Sequence, residues 1–220
     1  MGQKILVTMV AAVAAALLAL SLAGLWLIAR TPAGQATGAE VTLGPARLVF
    51  PAGYARFAGQ RGGGAFDRFE IAATFPDFAP AGEVSNPSPA LDLAERHDQT
   101  IFISLAAKEP GLDPAERPVK LYARFLEQEE WSHPGGLVMR RFLAASPFDG
   151  EDLYIAPPEG RLFAARCMRP RSPPDGLPDT CIQDFRIGAL DVQMRFSPNL
   201  LAQWERLREG ARRLVEGMAR

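Results

Sequence analysis

Cysteine and histidine are scarce, two of each, and there is no surplus of basic charge, since 24 Lys and Arg stand against 25 Asp and Glu. Two histidines and two cysteines are too few soft ligands for most zinc or iron–sulfur centres, which draw three or four onto one ion. A balanced charge argues against nucleic acid as a partner, because displacing counterions from phosphates needs a basic excess. Catalytic signatures are missing too: no G-x-S-x-G elbow, H-E-x-x-H or S-x-x-K occurs. An enzyme is therefore unsupported, and no cofactor or metal is expected. A charged fraction of only 22% against 48% hydrophobic residues argues equally against disorder. The 220 residues amount to one ordinary domain plus an additional segment.

That segment is at the start. Residues 5–29 contain no charged side chain and are bounded by Lys4 and Arg30. As a helix they reach roughly 37 Å at ~1.5 Å per residue, enough to cross a hydrocarbon core of ~30 Å with some tilt. A cleavable signal peptide, cut among the small residues near Gly34 and Ala36, is the competing reading, but its apolar core runs only ~7–15 residues. Residues 1–30 are therefore read as a short cytoplasmic stub and an uncleaved transmembrane signal anchor, residues 31–39 as a linker, and residues 40–220 as a periplasmic domain. The predicted location is a bacterial inner membrane, single-pass, with the amino terminus cytoplasmic. Within the span Ala11, Ala15, Ala19 and Ala23 recur every four residues. A face so bare of bulk lets helix backbones approach in lipid, which suits docking against another integral membrane protein. General abundance of Ala in the chain is the other reason for the pattern.

Beyond the linker the periodicity changes. Phe69, Ile71, Ala73 and Phe75 alternate with polar or small residues, Ile101, Ile103 and Leu105 are divided by Phe102 and Ser104, and Leu190, Val192, Met194 and Phe196 alternate with Asp191, Gln193 and Arg195. Period 2 marks half-buried antiparallel strands. Weaker candidates are residues 46–50, 119–125, 137–143, 153–156, 162–168 and 182–187, of which 119–125 also fits one face of a helix. Asp149-Gly150 and residues 157–160 carry hairpin chemistry. A short helix over residues 91–96 is a further candidate. At the carboxyl end Ser197 can cap and Pro198 suits a first helical position. Leu200, Trp204, Leu207, Ala211, Leu214 and Met218 then follow at helical spacing, an amphipathic helix expected to pack on the sheet. The fold class predicted is α+β: a transmembrane helix, a mainly antiparallel sheet of about six to nine strands, and a C-terminal amphipathic helix.

Few residues point to chemistry. Cys167 and Cys181 flank a Pro- and Gly-rich loop, and in an oxidising compartment such a pair is read as a structural disulfide between neighbouring strands. His97 and His133 each lack a second histidine at ligand spacing and are read as solvated loop residues. Asp149, Glu151 and Asp152 lack the spacing that wraps a calcium ion. Glu127, Glu129 and Glu130 read as a solvated face, and residues 61–64 as a flexible turn rather than an anion loop. Phe75 and Phe78, flanked by Pro76 and Pro80, leave the sheet as a rigid loop. Their rings either point outward as an interaction anchor or tuck beneath the loop into the core. The function expected is a non-enzymatic accessory or interaction subunit of a membrane protein complex, in contact with the lipid bilayer and with another membrane protein through the span. A membrane-tethered ligand-binding or hydrolytic periplasmic domain is the alternative, favoured if His97 or His133 joins carboxylates in a deep polar pocket.

Overall fold

The computed structural model describes residues 38–81, 98–170 and 179–220. The transmembrane reading, its Ala11, Ala15, Ala19 and Ala23 face, the helix over 91–96 and His97 lie outside the described residues. Among those described, no helix is long and apolar enough to cross a membrane.

The described chain is a mainly antiparallel α+β fold with two sheets and a C-terminal helix. A small sheet has β1 (Ala39–Leu43) between β2 (Ala46–Phe50) and β3 (Gly64–Ala65), and only the β1–β3 contact is parallel. The large sheet has nine strands. Its order is β5 (Ala79–Pro80), β4 (Arg68–Thr74), β6 (Thr100–Ala107), β12 (Leu190–Phe196), β11 (Cys181–Ile187), β10 (Ala164–Met168), β9 (Glu151–Ile155), β8 (Leu137–Arg141) and β7 (Trp131–His133). Helix α1 (Trp204–Met218) packs against β2 and β11.

The three alternating runs read from the sequence become the central strands β4, β6 and β12, and their registers bring the apolar sets into line. Ile71, Ile103 and Met194 face one another across three strands, and all three are fully buried. The core lies between this face, the small sheet and the helix: Phe50 of β2 meets Phe69 of β4 with ring centroids 4.4 Å apart, and Leu207, Ala211 and Val215 of α1 are fully buried in the same cluster. Burial of such side chains at ~25 cal/mol per Å² of apolar surface is the main stabilising term.

The opposite sheet face is polar over β4, β6, β12 and β11, where Glu70, Ser104, Gln193 and Asp184 are in register. Towards β8 and β9 it is covered by a second small core of Tyr122, Leu126, Phe142 and Leu153 with Phe148 packed against it. This core explains why residues 119–125 do not form the strand offered by one reading of the sequence. Pro118–Tyr122 is a single π-helical turn followed by a 3₁₀ turn, Ala123–Phe125, and the helical twist brings Tyr122 and Leu126 to the same side. The C-terminal helix also starts differently from expectation. Ser197 accepts from the Asn199 N–H at 3.3 Å, but the turn it caps, Pro198–Gln203, is 3₁₀, and α-helix begins only at Trp204.

Candidate functional site

The disulfide is the first sequence-predicted feature that the fold positions. Cys167 and Cys181 are register partners on β10 and β11, their Cα atoms are 3.9 Å apart and their sulfurs are bonded. The Met168 N–H donates to the Thr180 carbonyl at 3.1 Å beside them, so the cysteines occupy the close, non-hydrogen-bonded position of the ladder. Both are buried, and the bond pins two central strands.

Phe75 and Phe78 answer the other way: they are 6% and 7% exposed, members of the main core. The outward reading of this interaction loop is corrected by packing. Gly210 of α1 leaves a notch into which the Phe78 ring fits, and the Tyr54 hydroxyl donates to the Phe78 carbonyl at 2.9 Å. Phe78 is held at φ +55, a left-handed conformation that a non-glycine residue adopts at a cost, offset here by burial of the ring.

The remaining candidates do not converge. His133 stands on β7 with its ring against Tyr154 at 4.9 Å and its Nδ1 3.0 Å from the Pro134 carbonyl. Asp149, Glu151 and Asp152 are each taken by an arginine, Asp149 and Asp152 by Arg169 and Glu151 by Arg166 at 2.6 Å, instead of pointing at one ion. In the 61–64 turn, Gly63 sits so close to β1 that a Cβ would lie 2.3 Å from the Glu40 carbonyl oxygen, so its glycine serves strand contact.

What the fold does assemble is a notch in the large sheet. β10 begins at Ala164 while β11 continues to Ile187, so β11 beyond Gln183 has no registered β10 partner. The 3₁₀ turn Pro114–Glu116, the residues 160–163 before β10 and the flank of α1 surround this gap. They enclose a cavity of about 190 Å³ lined by Asp113, Asp184, Gln183 and the guanidinium-bearing Arg161, Arg186, Arg208 and Arg212.

Three of these arginines are committed. Arg161 bonds Glu159 at 2.6 Å and Glu116 at 2.9 Å. Arg186 bonds Asp191 at 2.6 Å and faces Asp113 at 3.6 Å. Arg212 bonds Glu216 at 3.1 Å and the Arg186 carbonyl at 3.4 Å. The acids are spoken for as well: Asp184 takes Arg117 at 2.6 Å and the Gln193 amide at 3.1 Å.

Arg208 is the exception. Half-buried on α1, it has no hydrogen bond or ion pair among the described residues. Burial, with the neighbouring Arg212 cation, outweighs the attraction of the adjacent Glu209 and holds its guanidinium below its ordinary pKa. Gln183 is the second exception. It lies in register with Met194 and Ala165 on the apolar side of the sheet, is 2% exposed, and its Oε1 has no hydrogen-bond partner. A cation and an amide oxygen, each without a partner and both on residues lining one cavity, are equipped to hold a polar group. The cavity lining includes no histidine, cysteine, serine or lysine, and its two carboxylates, Asp113 and Asp184, both face arginines. Around it Leu162 is 53% exposed, and Leu112 and Val119 are exposed on the neighbouring turns.

No model of a known protein family matches the sequence, and no curated protein sequence does. Two solved structures resemble the fold. Smlt3025, an immunity protein of the Stenotrophomonas maltophilia type IV secretion system, is 16% identical with a TM-score of 0.58, over 87% of this chain and 98% of that one. The Neisseria meningitidis iron-regulated outer membrane lipoprotein FrpD is 16% identical with a TM-score of 0.44, over 82% of this chain and 92% of that one.

Proposed function

We propose that the chain is a single-pass protein of a bacterial inner membrane, anchored by residues 5–29, which presents residues 40–220 to the periplasm as a non-enzymatic interaction subunit of a membrane protein complex. The anchor rests on the uncharged length of the amino-terminal run, and the oxidising side of the membrane on the paired cysteines. The observation that carries the interaction role is the notch: a half-buried arginine and a buried amide oxygen, each without a partner, beside the exposed Leu162. Polar groups left unpaired inside a domain cost stability and are retained where a ligand completes them. An interaction role also agrees with the fold shared with an immunity protein. The alternative of a hydrolytic domain loses one of its supports, since His133 lies on an edge strand and does not line the cavity.

The test is isolation of the full chain in detergent from native membranes. A stoichiometric membrane-protein partner should co-purify, and Ala15→Leu combined with Ala19→Leu should weaken that association. Isolation of the chain alone under mild detergent counts against the proposal.

A further inference from the structure

Resting on that interaction role, we infer that the Arg208 cavity receives one side-chain carboxylate, from an aspartate or glutamate of the protein partner. Charge decides the class of ligand. Arg161, Arg186 and Arg212 already face acids, and Asp184 is held by Arg117, so a single uncompensated cation remains in the lining. A monoanion neutralises it. A phosphate dianion brings one negative charge too many beside Asp113 and Asp184, and a neutral carboxamide leaves the half-buried guanidinium without a counter-charge.

Hydrogen-bonding capacity agrees. A guanidinium offers a fork of N–H donors that matches a carboxylate, and although the orphaned Gln183 Oε1 is itself an acceptor, a half-turn about the last bond of that side chain puts its NH₂ donor in the same place. Size and polarity agree as well. About 190 Å³ accommodates a carboxylate on a short methylene stem, and Phe163, Phe185 and Leu162 line the wall where the stem would lie. Gln183 breaks an otherwise apolar register row with an amide whose Oε1 has no partner among the described residues, which is the pattern of a side chain placed for a ligand.

The test uses the full chain in detergent micelles, labelled with ¹⁵N-arginine, and observes the Arg208 Nε–H signal, identified by its loss in Arg208→Met. The probes are N-acetyl-glutamate N-methylamide, the corresponding glutamine compound and inorganic phosphate. The glutamate probe should shift the Arg208 signal saturably, with the glutamine probe about tenfold weaker or worse, as expected for losing a charge-assisted bond. Gln183→Leu should weaken the glutamate probe several-fold while the Arg208 signal of the free protein stays in place, which separates loss of the site from loss of folding. No saturable shift, equal binding of the glutamine probe, or tighter binding of phosphate overturns the carboxylate assignment and leaves the interaction role to the co-purification result. Saturable glutamate binding by a chain that has no partner in its native membrane refutes the interaction role alone.

Discussion

A glycine to alanine change inside a helix normally stabilises, because alanine surrenders less backbone freedom on folding, by about 0.5–1 kcal/mol. Helix α1 contains two glycines that should respond with opposite signs. At Gly217 a Cβ meets nothing within 4 Å, so Gly217→Ala should raise the thermal midpoint by about 2–4 °C for a domain of this size. At Gly210 the same Cβ would lie 1.9 Å from Cε2 of Phe78 and 2.4 Å from its Cζ. That ring cannot step aside cheaply, because its backbone is fixed by the Thr74 carbonyl at 2.7 Å and by the Tyr54 hydroxyl at 2.9 Å. Either the helix is pushed off the sheet or the ring leaves the core, at about 3 kcal/mol by overpacking or by lost apolar burial. Set against the propensity gain, Gly210→Ala should destabilise by about 2 kcal/mol and lower the midpoint by roughly 4–8 °C. Circular dichroism melts of the two variants and the parent in one detergent measure it. Adding Phe78→Ala should remove the penalty, leaving the second change neutral or favourable on that background. If Gly210→Ala stabilises as Gly217→Ala does, the notch is not holding the Phe78 ring and the packing argument fails.

The disulfide closes a loop across 14 positions, and its removal by Cys167→Ser with Cys181→Ser should cost about 3 kcal/mol in the chain-entropy account, or roughly 6–12 °C, read as the midpoint with and without reductant. A midpoint indifferent to complete reduction refutes that reading. Asp152 and Asp191 should show opposite pH slopes. Burial pushes the Asp152 carboxyl above its ordinary value of about 3.9, so its charge costs stability only as pH rises past that value, and Asp152→Asn should raise the midpoint at pH 7 with a gain that vanishes in acid. Burial also pushes Asp191 upward, but the bonds from Arg186 and from the Glu109 N–H outweigh it and hold the carboxyl below the ordinary value. Its contribution is present above about 3.9 and lost as pH falls through its lower folded value, so Asp191→Asn should lower the midpoint at pH 7 and converge with the parent in acid; parallel curves for both variants would refute these assignments.

How much of this was legible in the sequence follows from how local each determinant is. Strands β4, β6 and β12 were readable because a buried face repeats every two residues whatever the partner strand. The C-terminal helix was readable for the same reason at period 3.6, although Val215, fully buried, sits more deeply than the Leu214 named by spacing alone. The short strands β3, β5 and β7 have two or three residues each, too few for a period, and are strands only because a neighbour supplies hydrogen bonds. Phe75 and Phe78 illustrate the reverse limit. Proline on either side does end the strand, as read, but the room for the Phe78 ring is made by Gly210, more than a hundred residues away.

Arg208 shows which part of a site can be anticipated. Along α1 the helical pairs are local: Arg213 reaches Glu209 at 3.5 Å and Arg212 reaches Glu216 at 3.1 Å, both four residues apart. Arg208 has Trp204 four residues before it and Arg212 four residues after, so the i,i+4 positions give it no acid, and neither Glu205 nor Glu209 of the same helix forms an ion pair with it. The spacing is a sequence signal. That no distant acid compensates it depends on the late start of β10, which opens the sheet beyond Gln183, and on Asp184 being drawn to Arg117 and Asp113 to Arg186. Each acid near the cavity is closer to another arginine's geometry than to Arg208, and the competition is settled by tertiary placement. An unpaired charge is therefore a property of the whole arrangement, and Arg208 stands out only once every other charge around the notch has been matched to its partner.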